Sequence, residues 1–429
     1  MTEVLATTSS GRVRGRQDGG VVRFLGIPYA AAPRGAGRFA APEPVRPWPG
    51  VREATEFGAT APSASLRRTG LELLVEPAIA GAEYLNLNVW TPGADDARRP
   101  VLVWIHGGAH VTGSSAQPIY DGRAFAARGL VFVSLNHRLG AEGYAQLPGA
   151  PANRGLLDQL AALDWVRREI AGFGGDPDRI TISGSSAGAG SVLALLSLDT
   201  GLFRRAVAQS ATPRSALSTV DAERMAKELA GLAGVPATVA GLAEVEPARL
   251  AELATDLTLA VLADPDPLRW GETVVASSMA FGPVVDGQVL PGHPFDALLA
   301  GAGRDVELLL GTNSDELSLL VRDEGVAAAL TEQLFREPAY TLAESRTGAA
   351  ATYLYEFGWR SPLPGVGAAH GLELGFVFDN LGHSGLEGER PPAELAREVN
   401  GNWVSFATHG DPGWPRFTAE TPFVRWLGG

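Results

Sequence analysis

Between Arg179 and Leu196 a short apolar run, RITIS, meets Gly184-Ser185-Ser186-Ala187-Gly188 and then an apolar stretch of helical composition, AGSVLALL. A strand joined to a helix through G-x-S-x-G makes so tight a turn that its central serine is held in strained backbone geometry. Glycines two before and two after it remove side chains that would collide. The Ser186 hydroxyl is thereby exposed, and the helix that starts at the turn aims its first amides and the positive end of its dipole at the same spot. Taken alone, the pentapeptide is equally a Gly/Ser turn capping an ordinary helix. What surrounds it decides between the two.

An elbow of this kind needs a sheet to stand on. From Val101 the chain supplies apolar runs that end in glycine or polar loops (VLVWIHGG, GLVFVSLNHR, RITISGSSAG), each followed by a stretch able to form a helix. Such runs predict buried strands of a mainly parallel sheet covered by helices on both faces, an α/β fold. Leu156, Leu157, Leu160, Leu163, Val166 and Ile170 recur at spacings of three and four, which predicts one apolar helix face over Gly155 to Phe173. The first ninety residues read as short extended pieces broken by turns. Residues 215 to 270 and 317 to 350 carry Ala, Leu and Glu at helical spacing and are expected to be helical insertions roofing a cleft. No internal repeat, long linker or charge block divides the chain, so one domain over residues 1–429 is the expectation.

Composition narrows the partners. With 35 Lys+Arg against 48 Asp+Glu, the formal charge of -13 repels phosphate backbones and anionic headgroups, so neither nucleic acid nor a membrane surface is an expected partner. No apolar run approaches the roughly 20 residues that cross a bilayer. The absence of cysteine excludes disulfides, thiolate metal sites and a cysteine nucleophile, and fits a reducing compartment. MTEVLATTSSGRVRG lacks a basic segment followed by an apolar one, so no secretory signal is expected and a cytoplasmic location is.

A serine hydroxyl ionises far above neutral pH and needs a base. In folds with this elbow the chain order is nucleophile, acid, base, which leaves His293, His370, His383 and His409 of the seven histidines. His110 and His137 precede the nucleophile and are read as structural. His106 opens His106-Gly107-Gly108-Ala109, a second Gly-rich turn after a strand, whose amides can share an oxyanion with that of Ala187. The acid should follow a strand after Ser186. VELLLGTNSDELSLL offers Val306 to Leu310 as the strand and Asp315 and Glu316 in the loop, while Asp286 in PVVDGQVLP is a third carboxylate, in a pattern typical of a turn.

Many further segments, in order, resemble the type-B carboxylesterases, the group that includes bacterial p-nitrobenzyl esterases and, more distantly, cholinesterases. They run from FLGIPYAAAPRGAGRF, LNLNVWTP and VWIHGGAHVTGSSAQPIYDG through NRGLLDQLAALDWVRREIAGFGGDPDRITISGSSAG to GTNSDE, AAHGLELGFVF and WVSFATHGDPGWP. The resemblance implies an α/β-hydrolase fold and a serine esterase. It places the acid on Glu316, the base on His370 and the oxyanion amides on Gly107, Gly108 and Ala187. Ser210 falls on a position that looks like a supporting hydrogen-bond partner. In three places the sequence departs from the family. Ser185 stands where a glutamate or glutamine usually precedes the nucleophile, which removes a carboxylate near the imidazolium. The acidic motif before the LNVW strand reads Gly81-Ala82-Glu83, which puts its structural salt bridge in question. The 54 residues from Glu316 to His370 form a short interval, implying a reduced wall and a more open cleft.

The resulting expectation is hydrolysis of short- to medium-chain carboxylic esters in an apolar pocket through an acyl-enzyme, with no metal or organic cofactor. An amidase or carbamate hydrolase would use the same constellation. A non-catalytic binding member of the fold would be expected to have lost one of the three residues.

Overall fold

The computed structural model describes residues 2–64 and 76–428. Its main sheet has strands β1 (Thr2–Thr8), β2 (Gly11–Asp18), β3 (Val21–Pro28), β4 (Val51–Glu53), β5 (Asn86–Thr91), β6 (Arg99–Ile105), β7 (Val131–Leu135), β8 (Gly175–Ser185) and β9 (Arg205–Gln209). After the short β10 (Leu217–Ser218) and β11 (Val284–Val285), which pair only with each other, it continues with β12 (Glu307–Asn313), β13 (Thr352–Phe357) and β14 (Val424–Leu427). The strand order is β1-β2-β3-β5-β7-β6-β8-β9-β12-β13-β14, with β4 added on β2. Ladders at the β1 end are mostly antiparallel, and every ladder from β7 to β14 is parallel.

Parallel strands with both faces covered need apolar residues at successive positions, and the alternation divides them between two cores. Val101, Val103 and Ile105 of β6 point into one core with Val131 and Val133 of β7. Leu102 and Trp104 point into the other, with Phe132, Leu309 and Tyr355.

Helix α1 (Arg154–Glu169) runs on as a 3₁₀ turn, Ile170–Phe173, which ends at Gly174 in the left-handed region. Its buried face differs from the apolar stripe in the sequence. Leu156, Leu163, Val166 and Ile170 are buried, but Leu157 and Leu160 are only half-buried, while Asp158 and Gln159 turn fully inward. The reason is polar. Both Asp158 oxygens engage the buried Arg138, through Nη2 at 2.6 Å, Nε at 2.8 Å and the backbone amide at 3.0 Å, and Gln159 donates to Ser191 at 3.1 Å. Arg138 also donates to the carbonyls of Arg38 and Ala40, so one guanidinium ties β7, α1 and the loop after β3 together.

Helix α2 (Ala187–Leu196) leaves the end of β8. Residues 215–270 hold α3 (Thr219–Ala233), α4 (Pro247–Ala263) and shorter helical pieces, which bury Met225, Leu229, Leu250, Leu257 and Trp270 in a third core away from the sheet. Helix α5 (Pro294–Leu299) packs on α2. Residues 317–350 hold α6 (Glu324–Thr331), one π-helical turn Glu332–Arg336 and α7 (Glu337–Ser345), and α8 (Ala393–His409) follows later. Strand β12 is longer than its apolar run predicts, because Gly311, Thr312 and Asn313 continue to pair with Tyr355, Glu356 and Phe357. The altered acidic motif keeps an ion pair of its own, Glu83 with Arg52 at 2.5 Å on the surface.

Removing one partner of a buried pair strands the other charge, typically at a cost of 3–5 kcal/mol. Asp158→Ala is therefore expected to lower unfolding stability by about that much in urea titration, with a loss several times that of the surface variant Glu83→Ala.

Candidate active site

The parallel strands end along one edge, and in such sheets that edge is where chemistry is placed. Ser186 leaves β8 with φ 58° and ψ −126°, a conformation side-chain-bearing residues avoid, and is held there by its amide to the Gln209 carbonyl (2.9 Å) and its carbonyl to the Gly190 amide (2.9 Å). The flanking glycines are obligatory for reasons of space. A Cβ on Gly188 would stand 2.2 Å from the Ile105 carbonyl oxygen at the end of β6, and one on Gly184 2.7 Å from that same oxygen.

This close approach brings the second Gly-rich turn against the elbow. A Cβ on Gly107 would lie 3.3 Å from the Ser186 Cβ, and one on Gly108 (φ 113°) 2.2 Å from the Thr112 carbonyl oxygen. Gly108, Ala109 and His110 all have positive φ, a strained run closed by the Val111 and Thr112 amides on the Gly108 carbonyl (3.0 Å each). Gly107, Gly108 and Ser186 face one cavity; Ala187, the first residue of α2, is buried beside them.

His370 stands on the wall of that cavity, with its Nδ1 2.6 Å from Glu316 Oε2. Glu316 is buried, and its other oxygen accepts the Asn313 amide at 2.8 Å, so strand β12 fixes the carboxylate and the carboxylate fixes the ring. Asp315 faces away from the imidazole. One of its oxygens accepts Arg360 Nη1 and the Ala368 amide, both at 2.7 Å, and so clamps the loop that carries His370. Asp286 closes a turn by accepting the amides of Gln288 and Leu290. His383 is exposed, and His409 is exposed at the C-terminus of α8. His293 lines the cavity half-buried, close enough to feel the charges of Asp296 and Arg214.

One residue that the sequence reading did not single out completes the cluster. Glu373 is buried behind His370 and accepts hydrogen bonds from Ser185 Oγ (3.3 Å), Gln209 Nε2 (3.2 Å) and Asn313 Nδ2 (2.7 Å). Gln209 is fixed in turn by Trp403 Nε1 at 2.9 Å. Ser185 itself brings no carboxylate, but its hydroxyl is bonded to one that comes from the segment after His370. Ser210 also departs from expectation. It lines the cavity with φ 52°, but its buried hydroxyl bonds to none of the described residues, and only its amide is engaged, on the Gly311 carbonyl. Burial pushes the His370 imidazolium down, but the carboxylates of Glu316 and then Glu373 outweigh it and hold its pKa above the usual value. Burial, and then the Glu316 charge, push Glu373 up.

The cavity encloses about 1290 Å³ under the two helical insertions, with leucines such as Leu330 and Leu334 on its wall and Leu262 and Leu320 at exposed positions. Its lining is less uniformly apolar than expected, since Arg214, Asp296 and Glu337 also reach it. Among the described residues no group of three or more His, Cys, Asp or Glu side chains is arranged to hold a metal ion, and no helix is long and apolar enough to cross a membrane.

A strained serine between β8 and α2, with an imidazole held by a buried carboxylate on the same cavity, defines an α/β hydrolase of the serine type. The comparisons give the family. The model of the Carboxylesterase family matches residues 2–327 and 321–424. The para-nitrobenzyl esterase of Bacillus subtilis (strain 168) is 35% identical over 98% of this chain and 94% of its own length, and the phenmedipham hydrolase of Pseudarthrobacter oxydans is 32% identical over 100% and 96%. The crystal structure of a Geobacillus stearothermophilus carboxylesterase superposes with a TM-score of 0.81 at 35% identity, covering 98% of this chain and 96% of that one. The chain belongs to the carboxylesterase family, and it is a carboxylic-ester hydrolase.

Three histidines in and beside the Gly-rich turn are buried. His106 and His137 stack at 4.8 Å and His110 packs on Tyr144. Burial holds His106 and His110 down at about 3 and His137 at about 4. An imidazole that resists protonation when folded but accepts it at the usual pKa when unfolded stabilises the fold above that pKa, and the contribution drains away as pH falls toward the folded value. For His137 the loss amounts to about 3 kcal/mol by pH 4. Urea midpoints measured from pH 7 to 4 are expected to fall steeply, and His137→Phe to flatten that slope.

Proposed function

We propose that Ser186 is the nucleophile, His370 the general base and Glu316 the acid that orients it, with the amides of Gly107, Gly108 and Ala187 holding the oxyanion, in one hydrolase unit over residues 1–429. The observation that carries the reading is the 2.6 Å contact of His370 Nδ1 with the buried Glu316 carboxylate, on the cavity that Ser186 faces. That contact fixes the tautomer with Nε2 as acceptor, free to take the serine proton.

Attack by Ser186 Oγ on the ester carbonyl transfers its proton to His370 Nε2 and puts negative charge on the carbonyl oxygen, which the three amides receive. The imidazolium returns the proton to the departing alkoxide. Water, deprotonated by the same nitrogen, then attacks the acyl-enzyme and releases the acid and the free serine. The chain supplies every group these steps use. The leucines of the cavity wall favour short- to medium-chain carboxylic esters. The charge of -13 disfavours nucleic acid, and a sequence without cysteine suits a cytoplasmic setting.

Hydrolysis of p-nitrophenyl acetate, butyrate and octanoate by the wild type, with stoichiometric titration by a phosphonate, is the direct test. Ser186→Ala is expected to lose roughly 10⁶ in kcat and all titration; a variant as active as the wild type would remove Ser186 from the mechanism. The imidazole must be neutral to accept a proton, so kcat/KM should rise with pH through the His370 pKa. Glu373→Gln withdraws a charge that holds this pKa up, and is expected to move the rise to lower pH.

A further inference from the structure

A second void lies behind the wall of the catalytic cavity. It measures about 10 Å³ and is bounded by Leu193 of α2, Ala208 of β9, Leu310 of β12 and Ala339 and Leu342 of α7. These are core residues or pack against the core, and Gly311 and Thr312 of β12 complete the lining, so the void is mainly apolar. Pro213, Phe295 and Pro338 face both spaces and form the partition between them. Two of the three are prolines, whose rings are part of the backbone. Of the three, only Phe295, on α5, has a side chain free to turn.

The two arms of a bound ester lie in different directions. The leaving oxygen must stay within reach of His370, whose ring has the Phe335 ring 5.7 Å away. The acyl carbon is bonded to Ser186, at the start of α2, and α5 packs on α2. From these contacts we infer that Phe295 is the residue that limits acyl-chain length, closing off a reserve of apolar space along α2 that a longer straight acyl chain would fill. The inference rests on the esterase reading above and names the feature of the site that selects among acyl groups.

The test uses two substrate series on the full chain: p-nitrophenyl esters of growing acyl length, and acetates of growing straight-chain alcohols. Phe295→Ala is expected to raise kcat/KM for the longest acyl chains relative to butyrate by roughly fourfold per methylene newly buried, with the acetate series unchanged. Phe295→Leu, which keeps α5 packed, should give a smaller shift in the same direction. Ala339→Leu fills the void from behind; alone it should leave the acyl profile as in the wild type, and added to Phe295→Ala it should cancel the gain. Folded Phe295 variants with the wild-type acyl profile, or a shift confined to the alcohol series, would overturn the inference. Loss of turnover in Ser186→Ala, measured alongside, keeps that failure separate from failure of the esterase reading.

Discussion

The site depends on how closely two strand ends approach. Because Gly188 and Gly184 carry no side chain, the start of α2 sits directly on the Ile105 carbonyl at the end of β6. That contact sets the distance between the serine turn and the Gly107-Gly108 turn, and therefore where amide dipoles converge. It also explains why the strain at Ser186 persists. The serine is bonded on both sides, to Gln209 and Gly190, and lies between two buried parallel strands, so relaxing its φ would mean moving the sheet.

Around this fixed point the remaining groups are supplied by strand ends and secured by backbone. Glu316 is held through the Asn313 amide, Asp315 grips the Ala368 amide, and the Asn313 side chain donates to the Ala369 carbonyl and to Glu373, so His370 hangs from a loop tied down before and after it. Electrostatically the pair is not isolated. Glu373 lies behind it in a cage of amide and hydroxyl donors, where burial and the neighbouring Glu316 charge disfavour ionisation while the Asn313 donor favours it.

The parallel sheet, the long helix, the elbow and the Gly-rich turn were legible in the sequence because each is written in adjacent residues: apolar runs, three-and-four spacing, glycines at fixed offsets. The choice of Glu316 over Asp315 and of His370 over His383 was not legible from local chemistry. It came from family resemblance, and the geometry that accompanies it is the 2.6 Å contact between residues 54 apart. Glu373 stands in the quoted segment AAHGLELGFVF, three residues after His370, but its bond to Ser185, 188 residues away, is written in no spacing rule. Inward-facing Asp158 and Gln159 show the limit of periodicity: a buried guanidinium outcompetes leucine for the core side of a helix, and only the fold reveals that Arg138 is there.

The core made by α3, α4 and Trp270 has consequences for how this chain can diversify. These helices bury their leucines in a core separate from the two sheet cores, but that core also takes in Val111 and has Ala109 packed against it, both in the Gly-rich turn beside Ser186. A change in the packing of these helices is therefore passed to the Gly-rich turn that lies against the elbow. The architecture thus couples the helices that shape what the enzyme admits to the turns where a shift of a few tenths of an ångström would misplace the reacting groups.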